Sequence, residues 1–316
     1  MYGLGLDIGR SGAKVSLIDL KTGAIESRPI IPAKAKPIGL EQFHVDDNKN
    51  EWTTRYAGNV WAIGDDADTH GLAAETNLRM WHREDDYWAL TQGILERVSK
   101  ECNNNIKALC VGLPSEAGEV ERKYVKTRMA ELMPGITVKV VPQPVGVFMA
   151  SLPVAPHIKD AGVKVLILDI GRYSADLLVA VGGSPSPESL KSGPGIVYAV
   201  EELAKILRPR YGDFPFEKLE EVLRTGRLKN YQYDEDLSRD VKAILSNYEK
   251  QEIHRLIDRV VVSEYKNSID AIIVAGGGSE LLELDQHYNT TIRPTGGRHV
   301  ISNGFAMIAK MMAGKE

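Results

Sequence analysis

The residues best suited to chemistry lie in one short segment near the N-terminus. The segment is Asp7-Ile8-Gly9-Arg10-Ser11-Gly12-Ala13-Lys14. Asp7 follows an apolar run, so we expect its carboxylate to project from the edge of a sheet. Gly9 and Gly12 allow backbone N–H groups to approach a ligand closely. Ser11 adds a hydroxyl and Lys14 a positive charge, which together make an anion cradle suited to phosphate with Mg²⁺. Taken alone, the segment is more typical of an ordinary β-turn.

The same tetrapeptide occurs a second time, which changes this interpretation. Asp169-Ile170-Gly171-Arg172 repeats the first copy 162 residues later, and Ser174 supplies a hydroxyl nearby. Short apolar runs precede and follow each copy, so each predicts a strand, a tight turn and a second strand. We therefore expect two related domains, each opening with the same hairpin. The two hairpins could hold a polyphosphate, and the carboxylates of Asp7 and Asp169 could hold Mg²⁺ through water.

Two further glycine-rich turns follow in the second half. The apolar run 272–275 leads into Gly276, Gly277, Gly278 and Ser279, and helix-like residues from Glu280 predict backbone donors at a helix N-terminus. Ser192-Gly193-Pro194-Gly195 precedes another amphipathic helix. The spacing of its apolar residues predicts that this helix ends before Pro209.

The rest of the chain alternates between strand and helix patterns. The sequence predicts strands at 106–113 and 138–141, an apolar helix from Pro144 to Leu152, and a last helix over about 303–312. A connector with two prolines, Pro153 to Pro156, separates the halves. This pattern predicts an α/β protein.

Composition excludes several classes of function. The chain has 316 residues and a net charge of −4, which argues against direct, sequence-independent binding of nucleic acid. No run approaches the length of a membrane span. The two cysteines, Cys102 and Cys110, are too few for a disulfide scaffold, so we expect a cytoplasmic protein.

The order of these features resembles the actin, Hsp70 and sugar-kinase ATPase superfamily. Within it, the chain is most similar to ParM/StbA-type plasmid-segregation proteins, through Trp61–Asp65, Gly112-Leu113-Pro114 and Pro142-Gln143-Pro144. The matching segments are 7–14, 142–152, 169–176, 274–279 and 302–312. The resemblance implies duplicated RNase H-like (actin-like ATPase) domains flanking a nucleotide cleft. The first domain would span 1–155, with the C-terminal helix 302–316 packing back on it, and the second would span 156–301.

The resemblance also implies a role for each matched position, with ATP and Mg²⁺ as cofactors. Asp7 would hold the hydration shell of the metal and Lys14 would contact phosphate. Gln143 would orient the attacking water, and Asp169 would lie near that water and the metal. The remaining nucleotide-binding positions would be Gly9, Ser11, Gly12, Gly171, Arg172, Ser174, Gly193, Gly195, Gly276, Gly277 and Ser279.

One departure from the superfamily pattern lies in the second hairpin. The superfamily commonly has Gly-Gly-Thr or Gly-Gly-Gly-Thr after the aspartate, whereas this chain has Gly171-Arg172-Tyr173-Ser174. Two outcomes stay open. The bulky pair can still present backbone N–H groups, with Arg172 adding charge toward the γ-phosphate, or Arg172 can point into solvent and slow hydrolysis.

The sequence thus predicts an ATPase that assembles into filaments of its own copies. The resemblance implies plasmid DNA segregation through a DNA-binding adaptor. A small-molecule kinase of the sugar type is an alternative, but no carboxylate lies within 141–152 to deprotonate a hydroxyl. A non-hydrolysing, nucleotide-dependent scaffold is the other alternative, and the altered second hairpin favours it.

Overall fold

The computed structural model describes residues 1–38, 52–69, 80–261, 265, 268–284 and 290–314. The chain divides into two compact units. The first unit comprises 1–113, 117–150 and 301–316, and the second comprises 114–116 and 151–300. The last two residues of the predicted helix 302–316 lie outside the described residues.

In the described residues, six strands precede the first α-helix, and strands and helices are interspersed after it. The strands are β1 (Tyr2–Gly9), β2 (Gly12–Asp19), β3 (Ile25–Ser27), β4 (Ala35–Ile38), β5 (Thr53–Tyr56), β6 (Asn59–Ile63), β7 (Ile106–Leu113), β8 (Thr137–Pro142), β9 (Lys164–Ile170), β10 (Ser174–Val181), β11 (Ser184–Pro194), β12 (Arg227–Lys229), β13 (Asp234–Asp236), β14 (Ala271–Ala275) and β15 (Thr291–Ile292). The helices are α1 (Asp66–Thr69), α2 (Asp85–Glu101), α3 (Glu119–Leu132), α4 (Gln143–Ser151), α5 (Val197–Tyr211), α6 (Phe216–Thr225), α7 (Ser238–Tyr248), α8 (Arg255–Val261) and α9 (Val300–Ala313). Among the described residues, no helix is both long and apolar enough to cross a membrane.

The main sheet of the first unit has the order β3-β2-β1-β7-β8. The β1–β2 hairpin is antiparallel, and β1, β7 and β8 are parallel to one another. Strands β1, β2 and β7 are buried along most of their length, as expected for strands covered on both faces. Helix α2 contributes Trp88, Leu95 and Val98 to the core, at the spacing of one helical face.

Helix α9 packs against the same sheet at very short range. The hydroxyl of Ser16 on β2 lies 2.8 Å from the Ser302 hydroxyl and donates a 2.7 Å hydrogen bond to Oδ1 of Asn303. Gly304 faces the backbone of Gly146 on α4, and a Cβ built at Gly304 would lie 1.8 Å from the Gly146 carbonyl oxygen. Glycine at this position therefore sets how closely α4 and α9 can approach.

The main sheet of the second unit repeats the topology of the first. Its order is β11-β10-β9-β14-β15, with β9, β10 and β11 antiparallel and β9, β14 and β15 parallel. Each sheet thus starts from a hairpin of the repeated tetrapeptide and continues through parallel strands. The predicted α/β fold with a duplicated unit is confirmed.

Two local predictions in the second unit are wrong. Helix α5 continues through Pro209 to Tyr211, because Pro209 lies in an exposed last turn where water can bind the carbonyl left without an N–H partner. The segment after Gly278 is a single 3₁₀ turn over Ser279–Leu281 and not a helix with an extended N-terminus.

Candidate functional site

The first hairpin holds a buried ion pair at the end of β1. Asp7 and Lys14 lie opposite each other in the antiparallel register. The Lys14 Nζ atom is 3.3 Å from Oδ2 of Asp7, and Asp7 is 1 % exposed. A buried carboxylate needs such a partner, because desolvation of an isolated charge is costly.

Gln143, the first residue of α4, completes this cluster. Its Nε2 donates a 2.8 Å hydrogen bond to Oδ1 of Asp7 across 136 residues of sequence. An ionised carboxylate only accepts hydrogen bonds, so the amide of Gln143 must turn its NH₂ group toward Asp7. Its Oε1 atom is therefore directed elsewhere, as an acceptor. The structure brings together Asp7, Lys14 and Gln143, as the sequence-based assignment requires.

The other predicted residues of the first hairpin form its turn. Gly9 pairs with Gly12, and Arg10 and Ser11 connect them. A Cβ at Gly9 would lie 3.0 Å from Nζ of Lys14. The turn is thus adjacent to the ammonium group of Lys14.

The second hairpin is fixed by backbone bonds to the start of α5. The carbonyls of Gly171, Arg172 and Tyr173 accept hydrogen bonds from the amides of Ile196, Val197 and Gly195 at 3.1, 2.8 and 3.1 Å. A trans peptide directs its N–H opposite to its C=O. The N–H groups of Arg172 and Tyr173 therefore point away from α5, on one side of the turn. Successive N–H groups on one side of a turn are an arrangement that binds anions.

Gly193 and Gly195 lie where β11 ends before α5. Gly193 pairs with Ala175 on β10, and the Gly195 amide makes the hydrogen bond to Tyr173 just described. Tyr248 adds support, because its hydroxyl donates a 2.9 Å hydrogen bond to the carbonyl of Pro194. These glycines therefore fix the backbone of the hairpin through strand pairing and a backbone hydrogen bond.

Asp169 and Asp176 occupy facing positions on β9 and β10, on the same side of the sheet. Both residues are buried. Asp176 accepts hydrogen bonds from the Ser174 hydroxyl at 2.8 Å and from the Ser115 amide at 3.0 Å. Burial raises the pKa of Asp176, and these hydrogen bonds act in the opposite direction. Ser174 is thus directed at a neighbouring carboxylate.

The Gly276 turn packs directly against Asp169. Gly276 has a φ of +87°, and a Cβ there would lie 2.5 Å from Oδ1 of Asp169 and 2.3 Å from the Ile170 carbonyl oxygen. Gly278 donates a 2.9 Å backbone hydrogen bond to the same Ile170 carbonyl. The hydroxyl of Ser279 closes the turn on the Gly276 carbonyl at 2.7 Å. Only glycine fits at position 276, because both the backbone conformation and the space require it.

Arg172 does not extend into open solvent. Its guanidinium forms a 2.9 Å ion pair with Glu220 on α6 and lies 4.4 Å from the ring centre of Phe216. The Tyr173 ring stacks on the same Phe216 at 6.3 Å between centres. The two bulky residues that replace Gly-Gly are thus packed against α6.

The donor set fits a hydrated magnesium ion bound with phosphates. Mg²⁺ commonly takes one or two carboxylates and fills its other positions with water and phosphate oxygens. Each hairpin supplies one carboxylate of this kind, Asp7 in the first unit and Asp169 in the second. Within the described ranges, no three His, Cys, Asp or Glu side chains gather into a metal site made by protein alone. A metal here would depend on a phosphate ligand.

Sequence reasoning missed two residues of this region. Asp176 could have been noticed because it lies at an inward position of the strand after the repeated motif. Glu220 carried no sequence signal, because an acidic residue on an amphipathic helix is ordinary.

Comparisons with known proteins agree with this architecture. Residues 5–146 match the family model of the N-terminal domain of actin-like proteins. Comparison with curated protein sequences found no match.

Three solved structures are similar to nearly the whole chain. An archaeal actin homolog aligns with a TM-score of 0.72 and 18 % identity over 98 % of this chain and 100 % of its own. A ParM filament from Clostridium botulinum aligns with a TM-score of 0.70 and 15 % identity over 98 % and 99 %. MreB5 of Spiroplasma citri, bound to ADP, aligns with a TM-score of 0.69 and 16 % identity over 99 % and 97 %. The chain has the actin-like fold, and the fold that the sequence resemblance implied is confirmed.

Proposed function

We propose that this actin-like protein binds and hydrolyses ATP with Mg²⁺ and assembles into filaments. The observation that carries the proposal is the buried cluster of Asp7, Lys14 and Gln143, since the Gln143 amide is fixed by its 2.8 Å hydrogen bond to Asp7. The ADP bound to MreB5 and the filament formed by ParM support the two parts of the proposal by similarity of fold.

Gln143 would act on water through its Oε1 acceptor. Its Nε2 donates to Asp7, so its Oε1 can accept a hydrogen bond from a water molecule. That hydrogen bond would orient the water so that a lone pair of its oxygen points away from Gln143. ATP hydrolysis depends mainly on such positioning and on electrostatic support. Mg²⁺, when bound with the phosphates, would neutralise developing charge, with Asp7 and Asp169 holding its water ligands.

The second hairpin would bind phosphate through its main chain. The N–H groups of Arg172 and Tyr173 face one way because the carbonyls are bonded to the start of α5. The backbone N–H groups of arginine and tyrosine at these positions can therefore bind phosphate, as those of glycines would in other members of the superfamily. The turn from Gly276 to Ser279, including Gly277, would border the adenosine.

We further propose that the filament segregates plasmid DNA in the cytoplasm through a DNA-binding adaptor. The net charge of −4 supports an indirect contact with DNA. Cys102 and Cys110 are both buried and unpaired with each other, which suits a reducing compartment. Polymerisation would be head to tail between copies of this chain.

Light scattering combined with phosphate release tests the proposal. Mg-ATP is added to micromolar protein, and both signals are followed together. We expect scattering to rise above a critical protein concentration and to decay as phosphate appears. Tight nucleotide binding without scattering at any concentration would refute the filament. Phosphate release that depends on an added hydroxyl acceptor would favour the kinase, and binding without phosphate release would favour the scaffold.

A further inference from the structure

A carboxylate on α6 joins two turns of the second unit that the sequence assigns to nucleotide binding. Oε2 of Glu220 accepts a 2.9 Å hydrogen bond from Arg172 in the second hairpin. Oε1 of the same carboxylate accepts a 3.0 Å hydrogen bond from Arg224, one helical turn further along α6. One side chain thus binds two guanidinium groups that lie on different elements.

Arg224 continues this chain of contacts to the Gly276 turn. Its guanidinium donates a 3.2 Å hydrogen bond to the carbonyl oxygen of Gly277 and lies 3.7 Å from Glu280. The second hairpin and the Gly276 turn are about 100 residues apart in sequence. They are therefore connected through Glu220 and Arg224 by charge-assisted hydrogen bonds, which are stronger than neutral ones.

Burial distinguishes Glu220 from the acidic residues around it. The Glu220 side chain is 19 % exposed, whereas those of Glu217 and Glu280 are 64 % and 68 % exposed. Burial alone would raise the pKa of Glu220, but the two arginines outweigh it and the pKa is lowered. Exposed ion pairs contribute little, so Glu220 is the member of this network whose loss matters most.

Arg172 and its neighbour Tyr173 both contact a phenylalanine on α6. Phe216 on α6 lies below its guanidinium at 4.4 Å, and the Tyr173 ring packs on the same phenylalanine. The positive charge of Arg172 is therefore used inside the unit and is not available as a free charge for phosphate. The residues that depart from the superfamily pattern are those that contact α6.

We propose that Glu220 is a positioning residue for the nucleotide, which holds the second hairpin through Arg172 and the Gly276 turn through Arg224. This inference rests on the proposed function, because it assigns Glu220 to the nucleotide site described there. Without the carboxylate, Arg172 and Arg224 are left with their longer 3.7 Å ion-pair contacts to the exposed Glu217 and Glu280. The hairpin and the turn would then lose their fixed spacing, and nucleotide affinity would fall.

The test compares two isosteric substitutions on the same helix. Glu220→Gln removes the bridging charge, and Glu221→Gln removes a neighbouring charge whose carboxylate pairs with Lys218 at 2.8 Å. Affinity is measured with a fluorescent N-methylanthraniloyl ADP and Mg²⁺. We expect Kd to rise about tenfold for Glu220→Gln, as for the loss of one charge-assisted contact. We expect no change for Glu221→Gln.

Kinetics separate positioning from a general structural role. Loss of ground-state positioning raises KM and leaves kcat nearly unchanged. Arg172→Lys retains the charge but loses the planar two-donor geometry, so it should raise Kd about threefold. A double-mutant cycle uses the single variants Glu220→Gln and Arg172→Gln and the double variant that combines them. If Glu220 acts through Arg172, the double variant should lose less binding free energy than the sum of the losses in the two single variants. Arg172→Lys also provides the measurement if Glu220→Gln fails to fold.

The outcomes distinguish this inference from the proposed function. Wild-type protein that binds no nucleotide overturns both. If the wild type binds nucleotide and folded Glu220→Gln has an unchanged Kd, only the positioning role is overturned. The positioning role is also overturned if Glu221→Gln raises Kd as much as Glu220→Gln does. Should Glu220→Gln not fold, an unchanged Kd in Arg172→Lys overturns it.

Discussion

Substitution of Gly304 by alanine should destabilise the protein and slow its proposed hydrolysis together. The substitution adds one methyl group where α9 faces α4. That methyl group would lie 1.8 Å from the carbonyl oxygen of Gly146. The obstacle is backbone, so no side-chain rotation can remove the clash.

The size of the effect can be worked out from the geometry. Carbon and carbonyl oxygen need about 3.3 Å between them, so the helices must separate locally by about 1.5 Å. Alanine is better than glycine inside a helix by about 1 kcal/mol, whereas overpacking costs about 1–3 kcal/mol or more. A clash with rigid backbone belongs at the upper end of that range, so we expect a net loss of about 2 kcal/mol in the free energy of unfolding.

The same displacement reaches the candidate site. Gln143 stands three residues before Gly146 on α4, and its hydrogen bond to Asp7 is 2.8 Å long. A shift of about 1 Å at α4 stretches this bond past its useful range, and misplacement of that size costs about 100-fold in rate. We expect phosphate release to fall at least tenfold.

Urea unfolding followed by circular dichroism measures stability, and phosphate release measures turnover. Gly314→Ala is the control, because its Cβ would lie at an ordinary 3.6 Å from the Lys310 carbonyl oxygen. We expect the control to match wild type in both assays. A Gly304→Ala protein as stable as wild type would refute the argument that backbone contact limits the approach of α4 and α9.

Three further predictions concern single side chains. Gln143→Ala should slow hydrolysis more than it weakens ATP binding, as measured by phosphate release and Kd; a pure loss of affinity would make Gln143 a binding or packing residue. Asp169→Ala should give a folded protein with severely reduced hydrolysis, and unchanged turnover would contradict the assignment. Glu121, which accepts a 2.9 Å hydrogen bond from Arg83, has its pKa lowered to about 2 by that arginine and by His82. Because the folded-state pKa is below the unfolded value, its stabilising contribution is present above about pH 4.5 and is lost as pH falls toward 2. Glu121→Gln should therefore reduce the difference between urea midpoints at pH 5 and pH 3, and an unchanged difference would refute this origin of acid sensitivity.

The hairpins and the order of elements could be predicted because their signals are local. The apolar runs on both sides of Asp7 and Asp169 define strands, and the glycines between them define turns. Strand β7 spans Ile106–Leu113, the range that the sequence predicts. The duplication was visible because a tetrapeptide occurs twice.

Contacts across the sequence could not be derived from residue patterns. The hydrogen bond between Gln143 and Asp7 joins positions 136 residues apart, and only the family resemblance suggested that both belong to one site. The position of Arg172 depends on Phe216 and Glu220, which no motif marks. Helix α5 passes through Pro209 because of its exposed location, which a propensity argument does not contain.

The repeated tetrapeptide has opposite electrostatic consequences in its two copies. Opposite Asp7 stands Lys14, so the first copy carries its own counter-charge. Opposite Asp169 stands Asp176, another acid, and facing acids on one sheet surface oppose folding. Burial raises the pKa of Asp176, and the Ser174 hydroxyl and the Ser115 amide donate hydrogen bonds to its carboxylate. Duplication has therefore left one copy of the motif that faces a base and one that faces an acid held by hydrogen bonds.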